Sequence, residues 1–177
     1  MLVSGRLAAY KDGLNCYESK VIHMRPLEAH INLANLRHNF QYLKSKHGNK
    51  TLAVIKANAY GHGSVQCANA LADLADGFAV ACIEEALTLR EAGVSLPIVL
   101  LEGVFEADEY ALIEQHDLWP VVQNETQLQA LLATDIKKPL TVWLKMDSGM
   151  HRAGFFPQDY AAAFKRLQAA PQVAKIV

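Results

Sequence analysis

The apolar positions of this chain fall into two kinds of run that take turns. Leu33, Leu36, Phe40 and Leu43 recur at helical spacing, with Asn32 placed to cap the start and Gly48 beyond the end. TLAVIK (51–56) reads as a short buried strand, and Val65, Ala68, Leu71 and Leu74 mark the next helix. FAVA (78–81) is a strand, IEEALTLREA (83–92) a helix stopped by Gly93, and PIVLL (97–101) a strand opened by proline. Residues 106–116 follow as a helix, WPVV (119–122) as a strand and NETQLQALLA (124–133) as a helix with Asn124 or Thr126 near its start. LTVWLKM (140–146) is a strand, 157–169 a helix with Tyr160, Phe164 and Leu167 on one side, and VAKIV (173–177) opens a further strand. Residues 1–23 carry neither period, and regular patterning starts near Met24.

The strands are continuous apolar runs, and each is followed by a helix. That is the pattern of a parallel sheet buried on both faces, an α/β fold. Two closures satisfy it, an open doubly wound sheet and a (β/α)8 TIM-type barrel. No GxGxxG follows the first strand, which removes the main support for a dinucleotide-binding sheet. A complete barrel takes about 250 residues, and this chain has 177. Five strands and the start of a sixth are present, so only the first five to six βα units are expected. The chain stops inside an apolar strand pattern, where an unpaired edge would be exposed. It therefore reads as the front part of a longer protein.

Charge narrows the function classes. Seventeen basic residues face eighteen acidic ones, so no field favours nucleic acid or an anionic membrane surface. No apolar run approaches the roughly 18 residues of a membrane span, and Lys11, Asp12, Glu18 and Lys20 interrupt any secretion-signal core. Cys16, Cys67 and Cys82 lie far apart, with no CxxC pair and no zinc spacing. Free thiols in a reducing cytoplasm follow. No metal site is expected.

In both closures a site gathers where strands leave the sheet at their C-terminal ends. Lys56 ends the first strand, and Lys145, Asp147 and Arg152 lie at and just after the end of the fifth. Desolvation at an apolar strand end lowers an amine's pKa and suits a lysine to Schiff-base chemistry. The plain alternative is a lysine whose head snorkels out of the sheet. Beside it, Gly61 and Gly63 permit a tight turn or the close approach of backbone N–H groups to a ligand. Tyr60 carries a phenol able to donate to a phosphate oxygen, while His62 fits local packing better. Arg152 offers a planar fork for an anionic oxygen, or a surface ion pair. Asp147 with Ser148-Gly149 fits a turn.

The stretches AVIKANAYGHG (53–63) and LKMDSGMHRAGF (144–155) together resemble the alanine racemases. DGFAVACIEEALTLREAG and PIVLLEGVFEADE, between them, resemble the same family. The likeness runs from Met24 to Val177 and leaves 1–23 outside, as an N-terminal extension. It implies residues 24–177 as a partial barrel that binds pyridoxal 5′-phosphate, truncated before a C-terminal β domain. It implies that Lys56 holds the cofactor and is one of two catalytic bases, that Tyr60 binds the phosphate and that Arg152 contacts the ring's phenolic oxygen. Lys145 matches a family lysine that is often carbamylated, which would turn a cation beside Arg152 into an anion. The implied reaction is the interconversion of L-alanine and D-alanine, for peptidoglycan or alanine catabolism. The implied whole enzyme is a cytoplasmic homodimer.

The chain also departs from that pattern. The family's second base is a tyrosine of the C-terminal domain acting on the partner subunit's cofactor. That domain, a phosphate-binding loop after later strands and the arginine on the pyridine nitrogen have no counterpart in 1–177. The fragment alone is therefore expected to be inactive. Two rivals remain at this stage: a broad-specificity amino-acid racemase, and a non-catalytic truncated fragment.

Overall fold

A computed structural model describes residues 29–177. The expected start at Met24 and the extension 1–23 lie outside the described residues, as does Cys16. The order is α1 (Leu33–His47), β1 (Leu52–Val54), α2 (Lys56–Tyr60), α3 (Ser64–Leu71), β2 (Gly77–Val80), α4 (Ile83–Glu91), β3 (Ile98–Leu100), α5 (Glu109–Gln115), β4 (Leu118–Val122), α6 (Glu125–Ala133), β5 (Leu140–Leu144), α7 (Pro157–Gln168) and β6 (Val173–Ile176). The six strands form a parallel sheet in sequence order, β1 to β6, each paired with its sequence neighbours. Strand order without reversal is barrel order, whereas a doubly wound sheet reverses at a switch point. The sheet is a partial (β/α)8 barrel.

Local chemistry sets the helix ends. Asn32 Oδ1 accepts from Asn35 N–H, and Gly48 closes α1 in the left-handed region at φ 70°. Asn124 Oδ1 caps α6 through Gln127 N–H, and Pro157 opens α7 at a position where its missing N–H costs nothing. On α7, Ala163 and Leu167 are buried and Tyr160 packs beside them. Phe164, expected on that side, is 37% exposed.

The two faces of the sheet bury different partners. Ala53, Ile55, Phe78, Val80, Ile98, Leu100, Leu118, Val122, Leu140, Val142 and Leu144 join the helices in the main core. On the opposite face Ala79, Val99 and Val121 pack with Leu52, Leu101, Trp119 and Trp143. This second cluster is the barrel's inner face. It explains why the central strands read as continuous apolar runs: both sides of β2, β3 and β4 meet apolar neighbours. At β1 the inner face is open, and Val54 is 45% exposed.

Candidate functional site at the C-terminal ends of β1 and β5

Sequence reasoning carried β1 through Lys56. The strand ends at Val54, and Lys56, half-buried, opens a different structure. Ala57, Asn58, Ala59 and Tyr60 all have φ between 51° and 54°, so α2 is one turn of left-handed helix. Gly61 and Gly63 are positive as well, at φ 90° and 92°. Left-handed backbone costs a non-glycine residue on the order of 1–2 kcal/mol, so four in a row persist only if their surroundings hold them. Inside the segment, Ala59 N–H donates to Ile55 O (2.9 Å), Gly61 N–H to Ala57 O (3.2 Å) and Gly63 N–H to Asn58 O (3.0 Å). Asn58 Oδ1 accepts from Ser64 N–H at 2.8 Å, which ties the turn to the start of α3. His62 Nδ1 lies 2.9 Å from Ala59 O, the local packing expected of it.

One amide of the turn looks outward. Ala57 N–H donates to Glu85 Oε1 at 2.7 Å, and the other oxygen, Glu85 Oε2, accepts from Ala81 N–H at 2.8 Å. Glu85 stands in the first turn of α4, so its carboxylate links the exits of β1 and β2. Sequence reasoning missed Glu85. The only signal was an acidic residue in a helix first turn, where it complements the helix dipole in any protein.

The second cation-bearing segment follows β5. It folds on Asp147, which is buried while its neighbours are exposed. Asp147 Oδ1 accepts from Gly149 N–H and His151 N–H, both at 3.0 Å, and Oδ2 lies 2.9 Å from His151 Nδ1. The turn expected of Asp147 is there, and His151 is part of it. These bonds, the two backbone amides first, hold the Asp147 carboxyl below the usual carboxylate range. Asp147 N–H donates to Phe155 O (2.8 Å) and Phe155 N–H to Lys145 O (2.9 Å), which closes the segment on itself. Gly154, at φ 116°, makes that closure fit: a Cβ there would stand 2.6 Å from Asp147 N.

Lys56, Tyr60, Lys145 and Arg152 therefore all follow strand C-terminal ends, as expected. Among the described residues none of the four side chains has a hydrogen bond or ion pair, so the surface ion pair weighed for Arg152 is not formed. Elsewhere arginines are committed: Arg37 pairs with Asp73, Arg166 with Glu125, and Arg90 donates to the carbonyls of Val94, Leu96, His116 and Asp117. Trp143, on the inner face two residues before Lys145, has a buried Nε1 with no partner. An amine, a phenol and a guanidinium with unspent donors form a set suited to a phosphorylated, anionic aromatic cofactor. No group of His, Cys, Asp and Glu able to hold a metal occurs among the described residues. None of their helices is long and apolar enough to cross a membrane.

Comparison with known proteins places this arrangement. The profile described as "Alanine racemase, N-terminal domain" matches residues 31–177. The alanine racemase of Neisseria meningitidis serogroup C is 64% identical over 154 residues, 87% of this chain and 44% of that protein. The catabolic alanine racemase of Pseudomonas aeruginosa is 60% identical over the same share of this chain, and 43% of it is covered. Among solved structures, the biosynthetic alanine racemase of Pseudomonas aeruginosa superposes with a TM-score of 0.79 at 48% identity, over 82% of this chain and 41% of that one. A histidine racemase from Leuconostoc mesenteroides superposes with a TM-score of 0.69 at 28% identity, over 80% of this chain and 40% of its own. The chain spans less than half the length of the curated relatives it matches.

Proposed function

This chain belongs to the alanine racemase family through the family's N-terminal domain, and on that premise we propose that it is the cofactor-binding part of a racemase that interconverts L-alanine and D-alanine. The observation that carries the reading is Lys56. It is half-buried, it opens a left-handed turn at the exit of β1, and its amine is uncommitted among the described residues.

In this reading Lys56 is the attachment point for pyridoxal 5′-phosphate. When bound, that group supplies the electron sink that acidifies the substrate Cα–H. The Lys56 amine would remove or return a proton on one face of the α-carbon. Tyr60 Oη donates to the phosphate. The Arg152 guanidinium would hold the ring's phenolic oxygen, and Lys145, as a carbamate, would steady that guanidinium by charge reversal. The proton on the opposite face falls to a second base, a tyrosine of a C-terminal β domain in the partner of a homodimer. Residues 24–177 are then the front of the barrel. The free thiols of Cys67 and Cys82 support a cytoplasmic setting.

The test is to incubate the chain with pyridoxal 5′-phosphate, reduce with borohydride and map the label by peptide mass spectrometry. Label concentrated on Lys56, and lost in Lys56→Ala, is the expected result. Label spread over surface lysines would overturn the assignment. A broad-specificity racemase is the second reading, favoured by the superposition on a histidine racemase. A substrate screen that finds another amino acid turned over as fast as alanine would establish it.

A further inference from the structure

The left-handed turn after Lys56 is held largely by its own amides. Ala59, Gly61, His62 and Gly63 donate to carbonyls within 55–59, and Ser64 donates to the Asn58 side chain. The amide of Ala57, the peptide joined to Lys56 itself, has only Glu85 as acceptor (2.7 Å). The same carboxylate takes Ala81 N–H (2.8 Å) at the exit of β2. Glu85 is half-buried, has no cation paired with it among the described residues and projects from the first turn of α4. A carboxylate accepting two amides from two strand exits fixes one exit against the other. A charged acceptor makes both bonds stronger than neutral ones.

We propose that Glu85 is a positioning residue for Lys56, an assignment that rests on the cofactor reading above. It pins the first peptide of the strained turn, and so fixes the point from which the Lys56 side chain leaves the sheet. Without that acceptor the Ala57 peptide is free to rotate, the turn relaxes toward commoner backbone regions, and the amine no longer starts from one place. The neutral amide of Glu85→Gln keeps a single acceptor oxygen and turns an N–H₂ group toward the second donor, so it serves one exit and repels the other.

The test uses two readouts on wild type, E85Q and E85A. Borohydride-trapped label on Lys56 is measured relative to label on Lys165 of α7 in the same sample. Amide hydrogen exchange over 57–61 is measured without cofactor, with α6 as the internal control. The expected result is a fall in relative Lys56 label of about ten-fold in E85A, with E85Q between it and wild type. Exchange should rise over 57–61 and stay unchanged over α6. A merely structural role would raise exchange in both regions, and that outcome overturns the assignment. So does unchanged exchange over 57–61, or equal Lys56 label in wild type and E85A. Absence of Lys56 label from wild type itself would sink the cofactor reading, and the assignment with it.

Discussion

The exits of β1 and β5 solve one problem in opposite ways. Each carries basic side chains just beyond a parallel strand. After β5 the chain builds its own support: Asp147 is buried, accepts from Gly149, His151 and the His151 ring, and the segment closes through Phe155 and Lys145. After β1 the chain adopts four left-handed residues and leaves its first amide to a carboxylate 28 positions away on α4. A self-supported loop presents a side chain wherever its own bonds point. A strained turn with an outside anchor ties its lysine to the neighbouring strand. The difference teaches that Lys56 is placed relative to the sheet, while Arg152 is placed relative to its own loop.

The comparison breaks most sharply at Gly154. Gly154→Ala puts a Cβ 2.6 Å from Asp147 N and Met146 C at φ 116°. It should cost about 3 kcal/mol from overpacking and backbone strain together, read as a lower urea midpoint at unchanged slope. At Gly61, also at positive φ, a Cβ meets nothing within 4 Å. Gly61→Ala should therefore cost only about 1 kcal/mol, the backbone term alone.

The next effect is a pH dependence confined to the β5 exit. Asp147 has a folded-state pKa below its ordinary 3.8. Its contribution is thus fully present above that ordinary value and is lost as pH falls through the lower folded one. Melting of wild type and Asp147→Asn, followed from about pH 7 down to about pH 3, should show wild type the more stable at the upper end and the gap closing at the lower. A gap that widens on acidification would contradict the hydrogen bonds described for Asp147.

The smallest effect should be a gain. Ala57 is exposed and sits at φ 51°. Ala57→Gly removes its left-handed penalty at the expense of some unfolded-state entropy, for a net stabilisation of about 0.5–1 kcal/mol. The matching price should appear as looser placement of Lys56, visible as faster exchange over 57–61.

Most of the barrel was legible because its periods are strong. Every strand from β1 to β6 and six of the seven helices among the described residues lie where apolar runs and caps put them. Asn32, Gly48 and Asn124 act as caps by the chemistry their residue types suggest. The turn at 56–60 was not legible, since Ala, Asn, Ala and Tyr do not announce positive φ. Only Gly61 and Gly63 behind them hinted at an unusual path. Glu85 was hidden for a different reason. Its role depends on the pairing of β1 with β2, a contact between residues 28 apart that no local pattern encodes. Lys56, Lys145 and Arg152 could be named from strand ends because that placement follows from topology alone.

Sheet order has a consequence for how the molecule comes into being. Among the described residues each strand pairs only with its sequence neighbours, so every unit added during synthesis finds its docking edge already exposed by the unit before it. Pairing between neighbours alone keeps each loop to be closed short, and since closure entropy grows with loop length this favours stepwise accretion over a global search. The Glu85 anchor of the Lys56 turn is complete once the first two units have docked, while Arg152 follows the fifth strand. The lysine is ready early, and the barrel mouth spends its assembly waiting for its arginine.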